Sequence, residues 1–119
     1  MENLDYMVDY EKFMNDFKKT EVSGEEVGEM VMRMAGYFAR YNVRLSDALH
    51  IYVIVKARFQ NQLDGSKPMS TAKAEILAEA TSEAALYELN KIHVQNIEQY
   101  LNALKSLQKG VLAEFSYST

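Results

Sequence analysis

From Ser82 to Phe115 the positions Leu86, Leu89, His93, Ile97, Tyr100, Leu104, Leu107, Val111 and Phe115 recur three or four residues apart. That average step is close to the 3.6 of an α-helix and predicts one long amphipathic helix, with Ile92, Val94, Leu101 and Leu112 widening its stripe. About 34 residues at 1.5 Å each make a rod of roughly 50 Å, longer than the radius of a compact chain of this size. Cover is therefore expected from the chain's own earlier helices and from further copies of it.

Those earlier helices are legible in the same way. Leu4, Met7, Val8, Phe13, Met14 and Phe17 mark one face of a helix over about Asp5–Lys19. Ser23 and Glu26 have capping-box spacing and predict a second helix, about Gly24–Tyr41, with Val27, Met30, Val31, Met34, Tyr37, Phe38 and Tyr41 on its stripe. Gly36 sits among Ala35 and Ala39, where close approach of another helix would explain it. Asn42–Ser46 reads as a turn, after which Ser46 caps a third helix carrying Leu49, Tyr52, Val53, Lys56, Phe59 and Leu63. The β-branched run Val53–Val55 could pass for a strand, but no partner strand is apparent, so it stays helical. Asn61–Ser70, with Asp64-Gly65 and Pro68, is the clearest loop, and Thr71–Ala80 is a short alanine-rich helix. Thr81-Ser82 then either breaks the path or caps the long helix. The pattern predicts an all-α fold, a single helical domain of four to five helices ending in a long amphipathic one. Residues 1–63 supply the N-terminal helices, 64–70 the loop and 71–119 the C-terminal helices.

Composition changes this picture little. The 119 residues, 48% hydrophobic and 25% charged, suit one folded domain. The absence of cysteine excludes a disulfide framework and thiolate chemistry. An acidic start, MENLDYMVDYEKF, stands where a signal peptide would need a basic and then an apolar stretch, so secretion is not expected, and Leu49–Val55, interrupted by His50, is too short to span a bilayer. A cytoplasmic protein without a membrane segment is expected. The net charge of −4 is unevenly spread: residues 1–29 hold nine carboxylates against Lys12, Lys18 and Lys19, and the remainder is net basic. That asymmetry reads either as a solvated helix face or as a surface that docks on a basic partner.

No constellation points to catalysis. Asp47 and His50 make half a metal or acid-base site at most, and His93 sits in the apolar stripe as an interior histidine would. Glu25, Glu26 and Glu29 suit a helix N-terminus. Neither His-Glu-x-x-His, nor Glu-x-x-His, nor a phosphate loop occurs, so no enzyme, metal or cofactor is expected. Met7, Met14, Met30, Met32 and Met34 crowd the first two helices, as core filling or as an adaptable binding face. Arg40 and Arg44 accompany Tyr41, and Lys56, Arg58 and Lys67 accompany Phe59. Cations on phosphates beside rings stacking on bases are what sequence-tolerant binding to single-stranded nucleic acid requires. An acidic chain does this best as an oligomer that aligns several copies.

Lys56-Ala57-Arg58-Phe59 at a helix end, the Gly-containing polar loop, Lys73-x-Glu75-Ile76 and Ala103-Leu104-Lys105-Ser106 stand in the order found in UvsY-type phage recombination mediators. The second half of the chain resembles that family. The resemblance implies a ring-forming helical protein in the host cytoplasm that binds single-stranded DNA and loads a RecA-type recombinase onto strands covered by single-strand-binding protein. Lys56 and Arg58 would be the basic pair at the DNA, with Lys67 beside them. The expected DNA set is thus Lys56, Arg58, Arg40, Arg44 and Lys67 for phosphates, with Tyr41 and Phe59 for stacking. Leu86, Ile97, Leu104, Leu107 and Val111 are expected to hold the core and the subunit contacts of a homo-oligomer. The acidic first helix departs from this reading, and the rival class is a protein-interaction module, such as an anti-defence inhibitor or virion assembly adaptor, acting through the acidic, Met-rich N-terminal helices.

Overall fold

The computed structural model describes residues 5–118, with side chains described up to Ala113; Leu4 and the Phe115 ring, both assigned to apolar stripes, lie outside. Its elements are α1 (Asp5–Lys19), α2 (Gly24–Gln60), β1 (Leu63–Asp64), β2 (Lys67–Pro68), α3 (Thr71–Glu79) and α4 (Ser82–Ser118). The fold is all-α, a bundle of four helices ending in a long amphipathic one. Contacts divide it into two compact units, one built from the chain up to Ala39 together with Gln95 onward, the other from Arg40–Val94.

Three hydroxyls open the helices after α1. Ser23 Oγ accepts from the Glu26 amide, Ser70 Oγ from the Lys73 amide and Thr81 Oγ1 from the Ala84 amide, each at 3.2 Å. Each satisfies a donor with no intrahelical partner. Thr81 therefore caps α4 after α3 has ended, which settles the role of Thr81-Ser82. The expected turn at Asn42–Ser46 is absent, because α2 runs unbroken for 37 residues. No Gly or Pro lies in that stretch, and the weak helix propensity of Asn and Ser costs only tenths of a kcal/mol each, about what one buried contact returns. Tyr41, Leu45, Ala48 and Tyr52 keep one buried line through it. The loop at 61–70 holds a minimal hairpin, Leu63 opposite Pro68 and Asp64 opposite Lys67. Its two-residue turn needs a positive φ at Gly65, which glycine adopts without steric cost.

In the first unit α1 docks by rings. Tyr6 is the buried residue of α1, edge-on to Tyr37 at 6.4 Å and 5.9 Å from Tyr100, while Tyr10 stacks on Tyr100 at 3.9 Å. The Tyr37 hydroxyl donates to Asp9, whose carboxylate lies 4.0 Å from Arg33. Burial raises the Tyr100 phenol pKa, with Glu11 and Tyr10 adding to it. Val27, Met30, Met34, Ile97, Leu101 and Leu104 complete this core. Gly24 lies against Val111 and Leu112. Met30 and Met34 thus serve as core, while Met32 is the exposed methionine of the group.

In the second unit Tyr52, Ala78 and Ala84 form a small core against which Val55, Phe59 and Tyr87 pack. The Lys73 ammonium reaches Asp64 at 2.7 Å and fastens α3 to the hairpin. Asn90, the buried polar residue of α4, is satisfied by donating to the Leu86 carbonyl at 2.9 Å. The expected α4 stripe is half corrected here. Ile97 and Leu104 are buried and Leu107 and Val111 half-buried, but Leu86 is 48% exposed and is not core. The buried line in this stretch runs instead through Ala84, Asn90 and Val94.

Two stability measurements follow. Tyr6→Ala removes the ring that anchors α1 and should cost about 3 kcal/mol in urea unfolding, as buried aromatic truncations do. A Cβ built at Gly36 meets nothing within 4 Å, which corrects the expected close helix approach. Gly36→Ala should therefore add roughly 0.5–1 kcal/mol, and a loss would mean that something packs there.

Candidate nucleic-acid interface

A continuous α2 fixes where its cations point. Arg40 and Arg58 are eighteen residues apart, five full turns, so they share one edge, and Arg44 lies one turn from Arg40 on that same side. Lys56 falls on the opposite side of the helix from Arg58, since residues two apart do not face each other. Its ammonium sits 5.0 Å from the centre of the Tyr52 ring. Lys67 is exposed in the hairpin. The expected basic set is thus divided into an arginine edge and a lysine side. Asp47 lies almost on the line of Arg58, eleven residues before it, and interrupts the arginine edge.

The rings do not meet the expectation. Tyr41 is only 4% exposed, with its edge on the His93 ring at 5.5 Å and the Arg44 guanidinium 4.6 Å from its centroid. Phe59 is half-buried against the Tyr52, Ala78 and Ala84 cluster. Burial corrects both as stacking platforms: their faces are already used by the core. Phosphate contact is what this surface can offer.

A second arrangement was missed. Tyr52 and Tyr87 lie 5.6 Å apart, Lys56 covers the first and Lys91, at 5.8 Å, covers the second. Each pair has i,i+4 spacing, Tyr52 with Lys56 and Tyr87 with Lys91, so a matching signal was present in the sequence. Glu79 and Glu88 share the pocket that Tyr52 lines, so this side is electrostatically mixed rather than basic.

No family model, curated protein or solved structure matches this chain. Among the described residues no helix is long and apolar enough to cross a membrane, and no three His, Asp or Glu side chains are grouped to hold a metal ion.

His93 gives a pH test of the Tyr41–His93–Arg44 contact. Burial lowers its pKa below the 6.5 of a free imidazole, and the Arg44 charge lowers it further. A histidine held neutral by folding contributes stability that is complete above the unfolded pKa and is lost as pH falls through and below it. The thermal midpoint should therefore drop between about pH 7.5 and about pH 5.5, and His93→Gln should shrink that drop. An equal drop in the variant would assign the pH dependence to another group.

Proposed function

We propose that this protein is a non-enzymatic, self-associating accessory of DNA recombination that holds single-stranded DNA for a RecA-type recombinase. Arg40 and Arg44 are the phosphate contacts, and the observation that carries the reading is their shared edge on one continuous helix. Two guanidinium groups on one subunit of net charge −4 hold a strand weakly. Several copies on one strand multiply the contacts, so affinity depends on assembly. With Tyr41 and Phe59 turned inward, binding is electrostatic and indifferent to base identity. Displacing or accommodating a single-strand-binding protein is consistent with that weak grip. For the rival module reading, Met30 and Met34 are core, while exposed Met32 and half-buried Met7 and Met14 remain beside the acidic residues of the first helices.

Fluorescence anisotropy of a labelled oligonucleotide tests this. The parent chain should bind at low salt, and Arg40→Ala/Arg44→Ala should weaken binding and flatten the log–log salt slope by about 1.4, roughly 0.7 per lost phosphate contact on a single strand. Identical curves for parent and variant would remove the arginine edge from the DNA assignment. No binding at low salt would overturn the reading itself.

A further inference from the structure

Leu49–Val55 is apolar at every position but His50, yet it lies in a helix that its own unit covers on one side only. Tyr52 is buried and Val55 half-buried, whereas Leu49, Ile51, Val53 and Ile54 are 39–53% exposed. A helical segment apolar all round is expected to be covered all round. Ten of the thirteen exposed large hydrophobic residues among those described fall in the Arg40–Val94 unit.

The neighbouring helix extends the same surface. The Tyr41–His93 and Tyr52–Tyr87 ring contacts set α2 and α4 antiparallel in this unit, with residue 51 level with residue 86. Arg44 flanks His93. Ile51 lies two turns along α2 from Arg44, and Leu86 two turns along α4 from His93, so both fall on that flank. Leu89, also exposed, stands between Leu86 and His93.

Charge selects the occupant. Asp47 precedes the apolar segment and Arg58 follows it, eleven residues apart on one edge of α2 and therefore about 16 Å apart. They cannot meet within one helix, and neither has a charged partner among the described residues. When two copies of α2 lie antiparallel about a two-fold axis between Tyr52 and Val53, Asp47 of each faces Arg58 of the other, and Ile51 faces Ile54. A parallel pair would set Asp47 beside Asp47. Reciprocal matching of this kind is the mark of an isologous contact between identical chains.

On that edge Ile51 and Ile54 stand between Asp47 and Arg58, and Leu86 and Leu89 continue it on α4, four aliphatic side chains about half exposed. At roughly 50 Å² from each they give about 200 Å² of apolar surface per copy, an area that suits a weak, concentration-dependent pair rather than a permanent one.

We propose that the edge of α2 running from Asp47 through Ile51 and Ile54 to Arg58 is a self-association surface on which a second copy of this chain packs its α2 antiparallel, held in register by reciprocal Asp47–Arg58 pairs. The inference rests on the self-association in the proposed function and is independent of DNA. It assigns Arg58 to the assembly and leaves Arg40 and Arg44 at the edge.

Sedimentation equilibrium of the full chain without nucleic acid tests it. The parent should sediment with the mass of two chains at about 100 µM, and Ile54→Glu should sediment as one chain with unchanged helical circular dichroism. Asp47→Arg alone and Arg58→Asp alone should each raise the dimer dissociation constant roughly tenfold or more, because each sets like charges opposite. The double variant Asp47→Arg/Arg58→Asp should restore it, since the reversed pair is again reciprocal. A parent of single-chain mass, an Ile54→Glu chain that still pairs, or a double variant no better than the singles overturns the proposal. Failure here leaves the anisotropy result for Arg40 and Arg44 to be judged on its own terms.

Discussion

Everything in this chain depends on one row of side chains along α2. Val27, Met30, Met34, Tyr37, Tyr41, Ala48 and Tyr52 are buried, and with half-buried Leu45 filling the longest gap the steps are all three or four. A row with that average step stays on one side of a helix over many turns. It gives each unit its packing face: in one α1 closes against it with tyrosine rings, in the other α3 closes with alanines. Because α2 is one continuous helix, its phase within each unit also decides which way the other residues on it point.

That phase explains both what was readable and what was not. The bounds of α1, the Ser23 and Ser70 caps and the loop around Gly65 follow from local chemistry, and local chemistry is present in a sequence. The turn expected at Asn42–Ser46 does not form because Asn42 and Ser46 are only mildly unfavourable in a helix, and the line through Tyr41, half-buried Leu45 and Ala48 is the stronger term. The same continuity of α2 rearranges the site. With two separate helices, Arg40, Arg44, Lys56 and Arg58 have no common frame and read as one basic cluster. One continuous helix sends Lys56 to the Tyr52 side and lines Arg58 up with Arg40.

The α4 stripe failed for a different reason. Its strongest visible residues near the N-terminus, Leu86, Leu89 and Ile92, are exposed, while the buried positions are the quieter Ala84, Asn90 and Val94. At Ala84 a small side chain fits because α3 packs Ala78 into the same cluster. Hydrophobic periodicity weights residues by size and so follows the larger set. Ring burial is equally hard to read from composition: Tyr41 looks like a surface stacking platform until His93 and Arg44 are seen to occupy its edge and face.

Tyrosine is the chain's aromatic currency, eight residues with no tryptophan, and Tyr10 lies almost flat on Tyr100. Stacked phenols at that separation couple their electronic transitions and sit in a fixed chiral setting only while α1 is docked. The near-ultraviolet spectrum of this protein therefore includes a contribution from a pair that joins its first helix to its last. Light absorbed there reports on the seating of α1, free of the competing indole signal that obscures such pairs in most proteins.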